Sequence, residues 1–154
     1  MSPYPERAPV RLGKHSLHYE HPGIAVLVYD GPMSAKEMQA LCDVPDVSEH
    51  QGRFQLTLCD MTNFGGLDGE ARKIGSQRSR PAKIYYTAYI GASFTMRVVV
   101  SMWTRATNLL QGPKNAVSFF DDVDAAKAWL IARRQEHLEN DAVSSGSTSV
   151  PPPR

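Results

Sequence analysis

Helix and strand patterns alternate along most of the chain. Residues 16–20 form a short alternating segment that ends in the turn signal His21-Pro22-Gly23. Residues 24–29, IAVLVY, are a continuous apolar run rich in β-branched side chains, as in a strand covered on both faces. Asp30-Gly31-Pro32 punctuates that run. Ser34 and Glu37 have the spacing of a capping box: the hydroxyl accepts from the Glu37 amide, and the carboxylate reaches back to the Ser34 amide. This predicts a helix starting at Ala35, with Met38, Leu41 and Cys42 as its inner stripe.

Residues 54–60, FQLTLCD, alternate as a strand with Phe54, Leu56 and Leu58 on one face. Residues 62–68 read as a loop containing Gly65 and Gly66, and Asp68 is placed to cap a helix from about Gly69 to Ser76. Residues 83–91, KIYYTAYIG, have strand composition. Phe94–Gln111 reads as a long helix closed by Gly112 and Pro113, although Val98, Val99 and Val100 favour a strand. Residues 116–120 form a short strand. Asp121 or Asp122 then caps a final helix from Val123 to about His137, with Ala126, Trp129 and Leu130 inward.

The resulting order, β-β-α-β-α-β-α-β-α, predicts an α/β fold. Its sheet is mixed but mostly parallel, with about five strands covered by about four helices and an antiparallel hairpin at one edge. The proline-rich residues 1–11 read as a flexible arm, and the Ser/Gly/Pro-rich residues 139–154 as a disordered tail. Residues 12–138 are then one domain, which suits a chain of 154 residues.

Composition narrows the function classes. A formal net charge of +1 gives no overall field toward nucleic acid or anionic membranes, so no nucleic-acid partner is expected. Cys42 and Cys59 both fall in apolar periodic segments and read as buried, reduced thiols. The first residues carry no apolar stretch of the signal-peptide kind, and no run approaches the ~18 apolar residues of a membrane span. The expectation is a cytoplasmic protein with no integral membrane segment.

The candidate chemistry is sparse. His15, His18 and His21 are three apart, so on a strand they alternate faces, do not converge on a metal, and read as surface histidines. Asp121, Asp122 and Asp124 precede a helix and read as caps. Arg72, Lys73, Arg78, Arg80 and Lys83 form a basic stretch that reads as a solvated helix face and loop; of the anionic partners it could hold, a phosphate, RNA or an acidic protein surface, the last suits it best. No phosphate loop and no nucleophile elbow occurs. The expectation is a protein with no catalytic residues, no metal and no cofactor.

The long helix stands out. Arg97, Ser101, Thr104, Arg105 and Asn108 form a narrow polar strip, and apolar side chains cover roughly 200° of the remaining arc at 100° per residue. A helix on a sheet needs a stripe of only somewhat over ~100°. The excess must meet a neighbouring helix, a second subunit or an apolar ligand. Met96, Val99, Met102, Trp103 and Leu110 are the candidate residues for that contact.

Three stretches carry a family resemblance. They are LCDMT at residues 58–62 with Asp68 opening a helix, YIGASF at 89–94, and FFDDVDAAKAWL at 119–130. Over about residues 14–135 the chain resembles the STAS domain, and within it the SpoIIAA-like branch that shares its architecture with Sec14-type lipid-binding domains. The resemblance implies a partner-binding or ligand-binding module rather than an enzyme. It places partner contacts at Asp68, Gly69, Glu70, Arg72 and Lys73. Regulatory STAS domains carry a phosphorylatable serine pair after the aspartate, where this chain has Gly69 and Glu70, so that switch is absent. Glu70 either mimics a fixed negative charge or complements the helix N-terminus. The function implied is regulatory protein–protein interaction, with self-association as one form of it. The alternative is carriage of a small apolar ligand, such as a lipid, between the long helix and the sheet.

Overall fold

A computed structural model describes residues 8–44, 53–77, 84–112 and 114–146. Three antiparallel strands open the fold. β1 (Val10–Leu12) pairs with β2 (His15–Glu20), and β2 pairs with β3 (Ile24–Met33). The chain then runs through α1 (Ala35–Asp43), β4 (Phe54–Leu67), α2 (Gly69–Gln77), β5 (Ile84–Ile90), α3 (Phe94–Gln111), β6 (Asn115–Phe120) and α4 (Val123–Gly146). The six strands lie in sequence order in one sheet, and β3 to β6 are parallel. Successive crossovers that step the same way with the same hand put their helices on one face. α1, α2 and α3 therefore share a face, and α4 covers the other.

The period-2 pattern sorts the strands between these faces. Ile24 and Val26 of β3, Phe54, Leu56 and Leu58 of β4, and Ala88 and Ile90 of β5 pack beneath Ala126 and Leu130 of α4. The opposite parity, including Leu17, Ala25, Leu27, Cys59 and Met61, forms the core on the three-helix side. Lys127 of α4 donates to Glu20 of β2 at 2.6 Å and holds that carboxyl below the usual range, tying α4 across the sheet.

Four sequence expectations are corrected. Val10–Leu12, placed mostly in a flexible arm, is a strand paired with His15 to Leu17, so the sheet has six strands rather than about five. Residues 62–67, expected as a loop, extend β4 because Asn63, Phe64 and Leu67 pair with Asp30, Gly31 and Met33 after register shifts. Gly65 permits that pairing, since a Cβ there would lie 2.5 Å from the Pro32 nitrogen. α4 continues nine residues past His137, so 139–146 are helical. Leu138 packs on the core and Arg53 pairs with Asp141. Residues 1–7 and 147–154 lie outside the described residues.

The fourth correction is His15, expected at the surface and found fully buried. The Asp30 amide donates to its Nδ1 at 3.0 Å, so Nε2 carries the proton and donates to the Pro32 carbonyl at 3.2 Å. Glu37 Oε2 lies 3.4 Å from that nitrogen. The ring thus ties β2 to the end of β3 and to the start of α1.

The capping box forms as the spacing predicts. Glu37 N donates to Ser34 Oγ at 3.2 Å, and Ser34 N donates to Glu37 Oε2 at 2.8 Å. The Ser34 amide is the main cause that holds the Glu37 carboxyl below the usual range. A carboxyl lowered on folding stabilises the fold above its unfolded pKa, and that contribution is lost as pH falls through the folded value. Ser34→Ala is expected to lose about 1 kcal/mol at neutral pH. Glu37→Gln is expected to destabilise at neutral pH, with the difference from wild type vanishing at the acid end. Denaturant melts across an acid-to-neutral series check both.

Candidate functional site

The odd-numbered residues of β2 to β6 face the three helices. α1 and α2 pack on each other through Met38, Ala71 and Ile74. α3 stands apart from them, seated along the edge strand β6. The space between α1 and α2 on one side and α3 on the other is a cleft of about 380 Å³. Its floor includes Thr57 and Cys59 of β4, Tyr85, Thr87 and Tyr89 of β5, and Val117 of β6. Its walls include Arg72, Gly75 and Ser76 of α2, and Met96, Val99, Val100 and Trp103 of α3. The second set has i, i+3, i+4, i+7 spacing, which places all four side chains on one helix face.

α3 is mounted with Thr104 and Asn108 of its polar strip toward the sheet, while Arg105 is exposed. Arg97 Nε donates to the Ala92 carbonyl at 3.2 Å, and its Nη2 reaches Asp121 at 3.1 Å. Asn108 Nδ2 donates to the Asn115 carbonyl at 2.9 Å, while Asn115 N donates to Asn108 Oδ1 at 3.0 Å. Asn108 thus pairs with the β6 backbone much as a neighbouring strand would. Thr104 is the buried residue of α3, and its hydroxyl has no hydrogen-bond partner among the described residues. Such a group costs desolvation without return. Thr104→Val is therefore expected to match or exceed wild-type stability by up to about 1 kcal/mol, read by thermal melting.

This mounting separates the residues singled out from sequence. Met96, Val99 and Trp103 line the cleft. Met102 and Leu110 do not: they point to solvent, at 66% and 87% exposed, together with Phe94 and Leu109. Asp68, Gly69, Glu70, Arg72 and Lys73 are all exposed on the start of α2, with Asp68 Oδ1 capping the helix through the Ala71 amide at 2.7 Å. Of these five, only Arg72 reaches the cleft. It is the sole charged side chain among the described residues lining it, and among the described residues its guanidinium has no ion-pair or hydrogen-bond partner. Arg78, Arg80 and Lys83 lie outside the described residues.

The tyrosines, threonines and cysteine of the floor escaped the sequence reading. Their signal was an alternation in β4 and β5: Phe54, Leu56, Leu58, Ile84, Ala88 and Ile90 at even positions are apolar, whereas odd positions 57, 59, 85, 87 and 89 carry hydroxyls, a thiol and phenols.

Other clusters resolve into structural roles. Asp122 Oδ2 caps α4 through the Ala125 amide at 3.1 Å. His18 pairs with Glu20 at 3.0 Å. Cys59 is buried and Cys42, expected buried, is only partly so; neither is in a disulfide. Among the described residues, no group of three or more His, Cys, Asp or Glu could hold a metal ion. Tyr86, His137 and Asp141 follow one another on the α4 side, with the Tyr86 hydroxyl 3.4 Å from His137 Nδ1 and His137 Nε2 3.8 Å from Asp141. Burial pushes the Tyr86 phenol up, the opposite of what a nucleophile needs. No described helix is long and apolar enough to cross a membrane.

The architecture has a counterpart among solved structures. An uncharacterised protein of the DUF3478 family with a SpoIIAA-like fold, from Shewanella loihica PV-4, is similar to this chain with a TM-score of 0.52 and 20% identity. The similarity covers 75% of this chain and 93% of that one. This protein therefore has the SpoIIAA-like, STAS-type fold. No protein-family model matches the chain, and no curated protein does.

Proposed function

We propose that this protein is a non-enzymatic binding module that takes a small apolar molecule into the cleft between α3 and the sheet. The observation that carries this reading is the Met96, Val99, Val100 and Trp103 face of α3, which lines an open cleft, with Met96 resting on the core beneath it. A concave, mostly apolar site with a few placed polar groups is the usual form of a small-molecule pocket, and ~300–1,000 Å³ is the usual range of volumes. The floor supplies those polar groups from Thr57, Thr87, Tyr85 and Tyr89.

Native mass spectrometry of the purified chain, set beside its denatured mass, tests the reading. Extra mass lost on denaturation is the expected result. A bare chain that also takes up no added apolar ligand would sink it.

A second reading, regulatory protein–protein interaction, is supported by the exposed start of α2, residues 68–73, and by the outward apolar residues Phe94, Met102, Leu109 and Leu110 of α3. The same spectra discriminate it: a clean dimer without adduct would place self-association first.

A further inference from the structure

The apolar cleft has one charge at its rim, and that charge has no ion-pair partner among the described residues. Arg72 is the fourth residue of α2, and Met96 is the third of α3. Each helix follows the C-terminal end of a parallel strand, β4 for α2 and β5 for α3. The guanidinium therefore belongs to the same end of the cleft as Met96. The apolar stripe runs away from that end through Val99 to Trp103, about 10 Å at 1.5 Å per residue. The site is thus cationic at one end and apolar along its length. No carboxylate among the described lining residues neutralises Arg72.

Resting on the reading of the cleft as a ligand site, we infer that the ligand is an amphipathic monoanion, a single apolar chain ending in a carboxylate. The carboxylate pairs with Arg72 and the chain lies along Met96, Val99 and Trp103. A guanidinium presents two parallel N–H donors that match a carboxylate fork. Water leaves as the chain fills the cleft, and the lower local dielectric strengthens that pair. A single cation balances a single negative charge. A phosphate monoester carries about −1.5 to −2 at neutral pH and would leave charge over. A cationic amphiphile would meet an unopposed guanidinium.

The test is calorimetric titration of the full chain with decanoate, decanol, decylammonium and decyl phosphate, each below its micelle concentration and at low salt. Decanoate is expected to bind about tenfold more tightly than decanol, the gain of one favourable charged hydrogen-bonded pair. Arg72→Gln should abolish that preference, and Arg72→Glu should transfer it to decylammonium. Arg72 is exposed, so neither change threatens folding. Equal affinity for the acid and the alcohol, or a preference that survives Arg72→Gln, overturns the inference while leaving the apolar-cleft reading standing. Decyl phosphate binding well above decanoate through Arg72 overturns the carboxylate assignment. If none of the four binds, the inference and the cleft reading fall together.

Discussion

Val99→Trp is expected to empty the cleft. Val99 projects from α3 into the cleft and is half exposed, so a larger side chain grows into open space rather than into packed neighbours. Overpacking of a closed core costs roughly 1–3 kcal/mol, but here there is no closed core to strain. The melting temperature should stay close to wild type. Affinity for decanol should fall by at least about tenfold, or ~1.4 kcal/mol. In native mass spectra the variant should appear as the bare chain where wild type carries an adduct. Undiminished retention in a folded Val99→Trp variant would move the binding site away from α3.

Leu130→Ala is expected to have the largest effect on stability. One face of the sheet rests on α4 alone, and Leu130 is a fully buried residue at the centre of that contact, beside Ala126 and above Phe54, Leu56 and Leu58. Truncating it removes transfer free energy and leaves a cavity the sheet cannot collapse into, at roughly 2–5 kcal/mol. For a chain of this length that lowers the melting point by roughly 10 °C. Leu110→Ala is the control. Leu110 is also a helical leucine but is 87% exposed, and its removal should cost less than about 0.5 kcal/mol. Equal losses at the two positions, read by thermal or urea melting, would mean that α4 is not the principal cover of that face.

Local chemistry was legible wherever a short-range interaction decides the backbone. The Ser34–Glu37 box, the Asp68 cap and the Gly112 stop each involve groups within about one helical turn, and the helices start or end where those groups stand. The two faces of β4 follow from alternation alone. The misplaced segments were those whose structure depends on distant partners. Val10–Leu12 is a strand because β2 offers it a ladder. The Gly65-Gly66 segment is a strand because β3 runs alongside it. Residues 139–146 have the composition of a tail, yet they continue a helix already nucleated by a packed segment, and propagation costs far less than nucleation. His15 has no local signal for burial, since its partners lie 15 to 22 residues away.

The candidate site divides the same way. The chain by itself determined that α3 would be a helix and that its side chains would split into a polar strip and a wide apolar arc, because 100° per residue distributes them so. It could not determine which arc would meet the sheet. Helical periodicity sets relative angles about an axis, whereas docking sets the absolute rotation. In the folded protein that choice was made by Asn108 and the β6 backbone, with Arg97 and Asp121 at the other end, so Thr104 and Asn108 of the polar strip face inward and the apolar arc is divided between cleft and solvent. Only the tertiary structure brought Arg72 of α2 to the cleft shared with Met96, Val99 and Trp103 of α3. Those residues are more than twenty positions apart, and the two helices are held at that separation by the strands on which they stand.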